Sequence, residues 1–233
     1  MTKSKPRYHG YRFPPEVISH AIWLYYRFSL SFRDIEDLLA ERGFVVSNEA
    51  IRRSSLKFGP GYRRSLRRRE GRLDDIWHVD EVYIRMGGEL HYLWRAVDQD
   101  SDVIDTLLQS RRNARAAKRF FEKALKGQGA EPTMLVTDKL RSYPSAVQLL
   151  LPSATHDTSQ YANNRAEFSH QATRQRERQM RRFKSGRQAQ HFLCIHARVN
   201  NLFRYGRHLL RAAHHPLFRA RAFTIWQQVT CAC

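Results

Sequence analysis

The chain has 233 residues, of which 42% are hydrophobic and 12% aromatic, so it can bury a core without disulfide or metal staples. Lysine and arginine number 41 against 22 aspartate and glutamate, which gives a formal net charge of +19. This excess favours a polyanionic partner, with nucleic acid as the first candidate. No run approaches the roughly 20 apolar residues of a membrane-spanning helix, and the N-terminus lacks the apolar core of a signal peptide. We therefore expect a cytoplasmic protein without a membrane partner, associated with the nucleoid when bound to DNA.

The first part of the chain predicts a small all-α domain. Residues 1–12 are basic and show no periodicity, so we expect a disordered arm there. Apolar residues at helical spacing then predict helices within residues 13–61. Ser31 and Asp34 have the spacing of a capping box at the start of a second helix, and Ser47 can cap a third. Three short helices of this kind indicate a helix-turn-helix DNA-binding domain.

The third helix is expected to carry a basic outer face. Its apolar residues Ile51 and Phe58 should point inward. Residues 59–61 (Gly-Pro-Gly) should end the helix, and residues 62–74 should form an arginine-rich linker that touches DNA phosphates. The predicted DNA contacts in this part of the chain are Arg52, Arg53, Lys57, Arg67, Arg68 and Arg69.

The pattern changes after the linker and predicts an α/β domain over residues 75–210, followed by a tail at 211–233. Runs of β-branched and aromatic residues indicate strands at 76–84, 90–97 and 103–109, joined by turn residues. Helical and strand patterns alternate after them, and the sequence is helical again from about Asn163. Strands followed by alternating helix and strand indicate a mixed sheet flanked by helices.

Three carboxylates within this basic chain are the candidate catalytic and metal-binding residues. Asp80 lies in the first predicted strand, Asp138 ends the short strand TMLVTD, and Glu167 lies early in a helix. Acids are unfavourable on a surface that holds phosphates unless a cation accompanies them, and Mg²⁺ takes carboxylate and phosphate oxygens. Because side chains alternate along a strand, Asp80 and Glu81 should not both reach one site. The pattern points to phosphodiester chemistry with two metal ions.

The chain also resembles a known family, the DDE transposases of the insertion sequence six family, in order and over nearly its whole length. The segments that carry the resemblance are YRFPPEVISHAIWLYYRF, SFRDIEDLLAERG, WHVDEVYI, HYLWRAVDQD, SRRNARAAKRFF, VTDKLRSY, NNRAE and RQRERQMRRFKS. The resemblance implies a helix-turn-helix domain that binds terminal inverted repeats and an RNase H-like catalytic domain. It places the family's three acids on Asp80, Asp138 and Glu167, and its basic residue on Arg174.

The same resemblance implies the reaction and the partners. Two Mg²⁺ ions, which Mn²⁺ can replace, would support DNA cleavage and the attack of a freed 3′-hydroxyl on target DNA. Asp80 would bridge the two ions, Asp138 and Glu167 would each hold one, and Arg174 would contact a phosphate near the scissile bond. Two element ends would be served by a homodimer or a higher homo-oligomer. The basic stretch after Glu167 adds further predicted DNA contacts at Arg178, Arg181, Arg182 and Lys184.

Two other classes of protein stay open at this point. A catalytically decayed relic or a non-enzymatic helix-turn-helix protein would bind DNA without metal-dependent turnover. An RNase H-like nuclease would cut without joining. Departures from the family pattern bear on the first alternative: Ser54 and Ser55 replace an expected Trp and Cys, and Phe168 replaces a polar residue.

Overall fold

The computed structural model describes residues 8–70, 75–159, 163, 183–204 and 211–230. The chain divides into two compact units, Met1–Arg69 with Arg198–Cys233, and Glu70–Ala197. Among the described residues, no helix has both the length and the apolar character needed to cross a membrane.

The first unit is built from helices. Its elements are α1 (Pro15–Arg27), α2 (Phe32–Ala40), α3 (Asn48–Arg69), a one-turn 3-10 helix (Ala212–His214) and α7 (His215–Thr230). The capping box predicted at the start of α2 is confirmed, because the Ser31 hydroxyl accepts from the Asp34 amide and the Asp34 carboxylate accepts from the Ser31 amide. Ile51 and Phe58 are buried as predicted, at 1% and 5% exposure. The N-terminal helices are therefore largely as the sequence indicates.

Helix α3 corrects the prediction of a break and a linker. It continues without interruption through Gly59, Pro60 and Gly61 and ends at Arg69. Tyr62 and Leu66 lie one and two turns beyond Phe58 and are 0% and 3% exposed. Burial of these side chains on the same face stabilises the helical conformation across a segment whose glycines and proline disfavour it.

The C-terminal segment predicted as a tail contains helix α7, so that prediction is also corrected. Ala222, Trp226 and Val229 are buried at helical spacing. The ring of Trp226 packs edge-on against Tyr62 of α3 at a centroid distance of 5.4 Å, and the Tyr8 hydroxyl donates to the Thr230 carbonyl at 2.6 Å. The last helix thus completes the core of the first unit.

The second unit is built on a five-stranded mixed sheet with the order β3-β2-β1-β4-β5. Strands β1, β2 and β3 are antiparallel, while β1–β4 and β4–β5 are parallel. The elements are β1 (Ile76–Met86), β2 (Glu89–Val97), β3 (Val103–Gln109), α4 (Ala114–Gln128), β4 (Met134–Thr137), α5 (Tyr143–Leu150), β5 (Thr155–Asp157) and α6 (Gly186–Phe203), the last of which runs on into the residues of the first unit. An antiparallel meander followed by two parallel strands with crossover helices is the arrangement that the RNase H-like resemblance implies, and the predicted fold class is confirmed.

Helices α4 and α5 cover one face of the sheet. The predicted core residues Trp77 and Trp94 are 2% and 0% exposed. Trp94 packs against Phe120 of α4 and edge-on against Tyr143 of α5. The short strand β5 was not predicted from the sequence. This core fixes β1, the central strand, which carries the first candidate acid.

We predict that Gly61→Ala raises the stability of the first unit by about 0.5–1 kcal/mol, because alanine is favoured over glycine inside a helix. A Cβ added at this position meets nothing within 4 Å. Urea denaturation followed by circular dichroism at 222 nm measures the change. Gly87→Ala serves as the contrast, because Gly87 has φ +58 in a turn and alanine is strained there. A loss of stability in Gly61→Ala would contradict a continuous α3.

Candidate active site

The pairing of β1 with β4 brings two of the predicted acids together. The last parallel pair between these strands is Val79 with Thr137. Asp80 is the next residue on β1 and Asp138 directly follows β4, and neighbouring strands lie about 4.8 Å apart. One oxygen each of Asp80, Glu81 and Asp138 lies within 4.8 Å of the others. The predicted convergence of Asp80 and Asp138 on one site is therefore what the fold produces.

Glu81 belongs to the same cluster, so the expectation that only one of Asp80 and Glu81 reaches the site was wrong. Side chains alternate between the two faces along β1, but a side chain next to an open edge of a sheet can turn toward that edge. Strand β4 ends at Thr137, and β1 beyond Val79 has an open flank toward which side chains from both faces can turn. The longer Glu81 side chain reaches this flank from the face covered by α4 and α5.

Two side chains that the sequence analysis did not assign hold Glu81 in place. The Tyr143 hydroxyl donates to one carboxylate oxygen and the Arg112 guanidinium donates to the other. Arg112 also lies 3.4 Å from an oxygen of Asp138. The Glu81 side chain is only 1% exposed, whereas that of Arg112 is 41% exposed. Arg112 therefore places one positive charge between two of the three carboxylates and remains open to solvent.

The electrostatics of the cluster follow from burial and mutual repulsion. Burial raises the pKa of Glu81 to about 7, and the charge of Asp138 adds to the rise while Tyr143 and Arg112 oppose it. Burial also raises the pKa of Asp138, and the charge of Asp80 contributes. Carboxylates that repel one another in this way are stabilised by a nearby cation.

The donor set fits a hard divalent metal ion. Carboxylate oxygens are the protein ligands that Mg²⁺ prefers, and it commonly uses only one or two of them together with substrate phosphate. Asp138 is 38% exposed through its side chain, and its second oxygen accepts from the Leu140 amide at 3.0 Å. That hydrogen bond fixes the orientation of the carboxylate. The chemistry of the residues thus agrees with a metal site where β4 ends beside the middle of β1.

The third predicted acid, Glu167, lies outside the described residues, as do Arg174, Arg178, Arg181 and Arg182. Asn163 precedes Glu167 by four positions and is described. Its side-chain amide donates to the Val79 carbonyl at 2.7 Å, and the residue is 7% exposed. Asn163, four positions before Glu167 in the sequence, is therefore tied to the backbone next to Asp80.

The other predicted DNA contacts that are described lie on the surface of their units. Arg52, Arg53 and Lys57 are exposed on α3 as predicted, and both arginines form ion pairs with Glu49. Arg67, Arg68 and Arg69 lie in the last turn of α3 rather than in a linker. Lys184 is exposed just before α6.

We predict that the difference in melting temperature, Glu81→Gln minus wild type, increases as pH rises from about 5 to about 8 in EDTA. The folded protein holds the Glu81 proton more tightly than the unfolded chain, because its pKa is about 7 rather than 4.5. The contribution of this bound proton to the stability of the wild-type protein is therefore complete below the pKa of the unfolded chain, and it is lost as pH rises toward 7. Glutamine lacks this titration. Differential scanning fluorimetry measures the difference, and a difference independent of pH would contradict the raised pKa.

Comparisons with known proteins agree with this geometry. The family model of the DDE domain of IS240-type transposases matches residues 74–206, more than half of the chain. The transposase for the insertion sequence-like element IS431mec of Staphylococcus aureus is 30% identical over 164 residues, which cover 68% of this chain and 73% of the relative. The transposase for insertion sequence element IS257 in transposon Tn4003 of the same species is 29% identical over the same length.

Solved structures with similarity to the chain include two retroviral integrase cores. The HTLV-2 integrase catalytic core domain in complex with magnesium gives a TM-score of 0.41 at 14% identity, covering 57% of this chain and 88% of that one. The catalytic core domain of BIV integrase gives a TM-score of 0.35 at 13% identity, covering 56% and 84%.

The family model spans both strands that carry Asp80 and Asp138, and the staphylococcal relatives extend over two thirds of the chain. This protein belongs to the DDE transposases of the insertion sequence six family.

Proposed function

We propose that this protein cleaves the ends of an insertion sequence and joins the freed 3′-hydroxyl to target DNA in a Mg²⁺-dependent reaction. The observation that carries the proposal is the meeting of Asp80, in the middle of β1, with Asp138, just after the end of β4, in a chain of the DDE transposase family. The net charge of +19 supports a DNA substrate.

Asp80, Asp138 and Glu167 are the residues that would hold the metal, with Asp80 shared between two sites. Two Mg²⁺ ions held by carboxylates, or Mn²⁺ in their place, supply activation of an attacking oxygen and charge stabilisation at the leaving oxygen of an in-line displacement. The amide of Asn163, four residues before Glu167, donates to the carbonyl next to Asp80. This anchor supports the approach of Glu167 to the two aspartates.

The remaining residues of the site position the acids and the DNA. Glu81, held by Tyr143, keeps the Arg112 guanidinium at the solvent-exposed side of the cluster, where it can donate hydrogen bonds to a phosphate oxygen. Arg174 is proposed to contact a phosphate near the scissile bond, followed along the chain by Arg178, Arg181, Arg182 and Lys184.

We further propose that α3 binds DNA along a basic stripe formed by Arg53, Lys57, Arg64 and Arg68. All four are exposed. At 100° per residue they fall within about 60° of one another, and they span about 22 Å of helix. Ile51, Phe58, Tyr62 and Leu66 are buried on the opposite side of the helix. Because α3 does not break at Gly59–Gly61, these four side chains share one continuous helix that would contact phosphates along its length.

We predict that the double variant Arg53→Gln/Lys57→Gln binds DNA with a weaker salt dependence. If each side chain neutralises one phosphate, the slope of log K against log salt concentration falls by about 1.8 in magnitude. Fluorescence anisotropy with a labelled duplex at several salt concentrations measures it. Lys118→Gln removes an exposed lysine of the other unit that pairs with Glu122 and should leave the slope unchanged. An unchanged slope in the double variant would show that the stripe does not contact phosphates.

The central proposal is tested by removing the acids one at a time. We predict that Asp80→Ala and Asp138→Asn each lower strand joining by roughly 10³-fold or more, because several kcal/mol of transition-state stabilisation depend on the metal ions. DNA binding should persist, because the acids serve the metal and not the DNA. The assay incubates labelled DNA from the regions that flank the reading frame with target plasmid and Mg²⁺.

Asp100→Asn is the matched control, since Asp100 is exposed in the turn after β2 and lies outside the cluster. Joined product from wild type and from the control, with none from the two variants, supports a transposase. Cleavage without joining indicates a nuclease, and DNA binding without any reaction in wild type indicates a relic or a regulator. Two ends joined in one event require two active sites, so we also propose a homodimer or a higher homo-oligomer.

A further inference from the structure

The outer half of β1 carries an exposed aromatic side chain close to the acid cluster. Tyr83 lies two residues beyond Glu81 on the same strand, and side chains two apart share a face. Its residue exposure is 69%, whereas Val82 and Ile84 on the opposite face are 5% and 1% exposed. The ring is therefore presented to solvent by a strand whose other face is packed.

The neighbours of Tyr83 on the same face of the hairpin come from β1 and β2. Tyr83 pairs across the ladder with Tyr92, and Arg85 pairs with Leu90. Tyr92 is partly buried and packs against the core, so it forms a fixed neighbour for Tyr83. Arg85 is exposed, and Leu90 is 42% exposed. We call Tyr83, Arg85, Leu90 and Tyr92 the hairpin face.

Three arginines lie on or near the hairpin face in the fold. Arg85 lies on the face itself, and Arg112 extends over Glu81 one step along β1. Gln109 on β3 pairs with Tyr92, which in turn pairs with Tyr83. The exposed Arg111 follows Gln109 by two residues. Aromatic rings that alternate with arginines are the combination by which proteins hold single-stranded nucleic acid, through base stacking and phosphate contacts.

We propose that Tyr83 stacks on an unpaired base of the DNA whose phosphate lies at the acid cluster, with Arg85 near the adjoining backbone. This inference rests on the proposed function, because the acid cluster supplies the DNA. Two residues along a strand cover about 6.6 Å, close to the length of two nucleotides at about 3.4 Å each. The stacked base is therefore one or two nucleotides from the reacting phosphate. A base held on Tyr83 keeps the end of the duplex open and the scissile strand accessible to Asp80 and Asp138.

The test uses a forked duplex with 2-aminopurine in the unpaired strand at the fork, since stacking on an aromatic ring quenches its fluorescence. Wild type is expected to quench it, and Asp80→Ala is expected to quench it equally, because stacking does not depend on the metal ligands. Tyr83→Ala should lose the quenching and bind the fork about 5- to 150-fold more weakly. Tyr83→Phe and Tyr83→Trp should retain both. Leu149→Ala, which removes an apolar side chain 61% exposed on α5, should behave as wild type.

Quenching that persists in Tyr83→Ala overturns the inference. The inference is also overturned if Tyr83→Ala changes the oligomeric state, measured by sedimentation velocity, and leaves the quenching unchanged. The hairpin face would then contact a second copy of the chain. The joining assay separates this result from the proposed function. If Asp80→Ala abolishes joining while Tyr83→Ala leaves quenching intact, only the stacking proposal fails. If Asp80→Ala still joins DNA, the proposed function fails, and the inference that rests on it fails with it, whatever the quenching.

Discussion

The parallel pairing of β1 with β4 is the constraint on which the candidate active site depends. It ends at Val79 and Thr137, and an aspartate follows on each strand. Neighbouring strands hold these carboxylates at a spacing that suits a shared cation, without help from long side chains. The end of β4 also leaves an open flank through which Glu81 joins the cluster. The mutual repulsion of three acids is then offset in part by Arg112 and by the hydrogen bond from Tyr143.

The basic stripe of α3 and the acid cluster lie in different units of the chain. The first unit presents four exposed cations, Arg53, Lys57, Arg64 and Arg68, along one side of α3, with buried apolar residues of the helix on the opposite side. The second unit holds Asp80, Glu81 and Asp138 in a partly buried cluster where β4 ends beside β1, with Arg112 beside them. Placing these three carboxylates in a partly buried cluster limits the surface over which they would repel a phosphate backbone. The hairpin face lies next to the cluster and adds an aromatic surface to the cationic one.

Much of this could be predicted from the sequence, because local patterns encode it. Alternation of apolar residues and turn chemistry located the first three strands, and the capping box located α2. Asp80 and Asp138 could be selected as candidate acids because the chain around them is strongly basic. Two further apolar patterns in the sequence also indicate helices that were not predicted. Tyr62 and Leu66 continue the apolar stripe of α3 past Gly-Pro-Gly. Ala222, Trp226 and Val229 lie at helical spacing in the segment predicted as a tail. The contribution of Glu81 could not be derived, because it depends on where a neighbouring strand ends. Arg112 and Tyr143 reach Glu81 across 31 and 62 residues of chain, a distance over which only the fold brings side chains together.

The most direct measurement of the central claim is a crystal structure of the protein bound to DNA in the presence of Mn²⁺, with anomalous diffraction data. We predict anomalous peaks coordinated by carboxylate oxygens of both Asp80 and Asp138, with Glu167 completing the ligand set and a DNA phosphate oxygen facing the same ions. Peaks located elsewhere, or an acid cluster that holds no Mn²⁺ while DNA is bound beside it, would contradict the account.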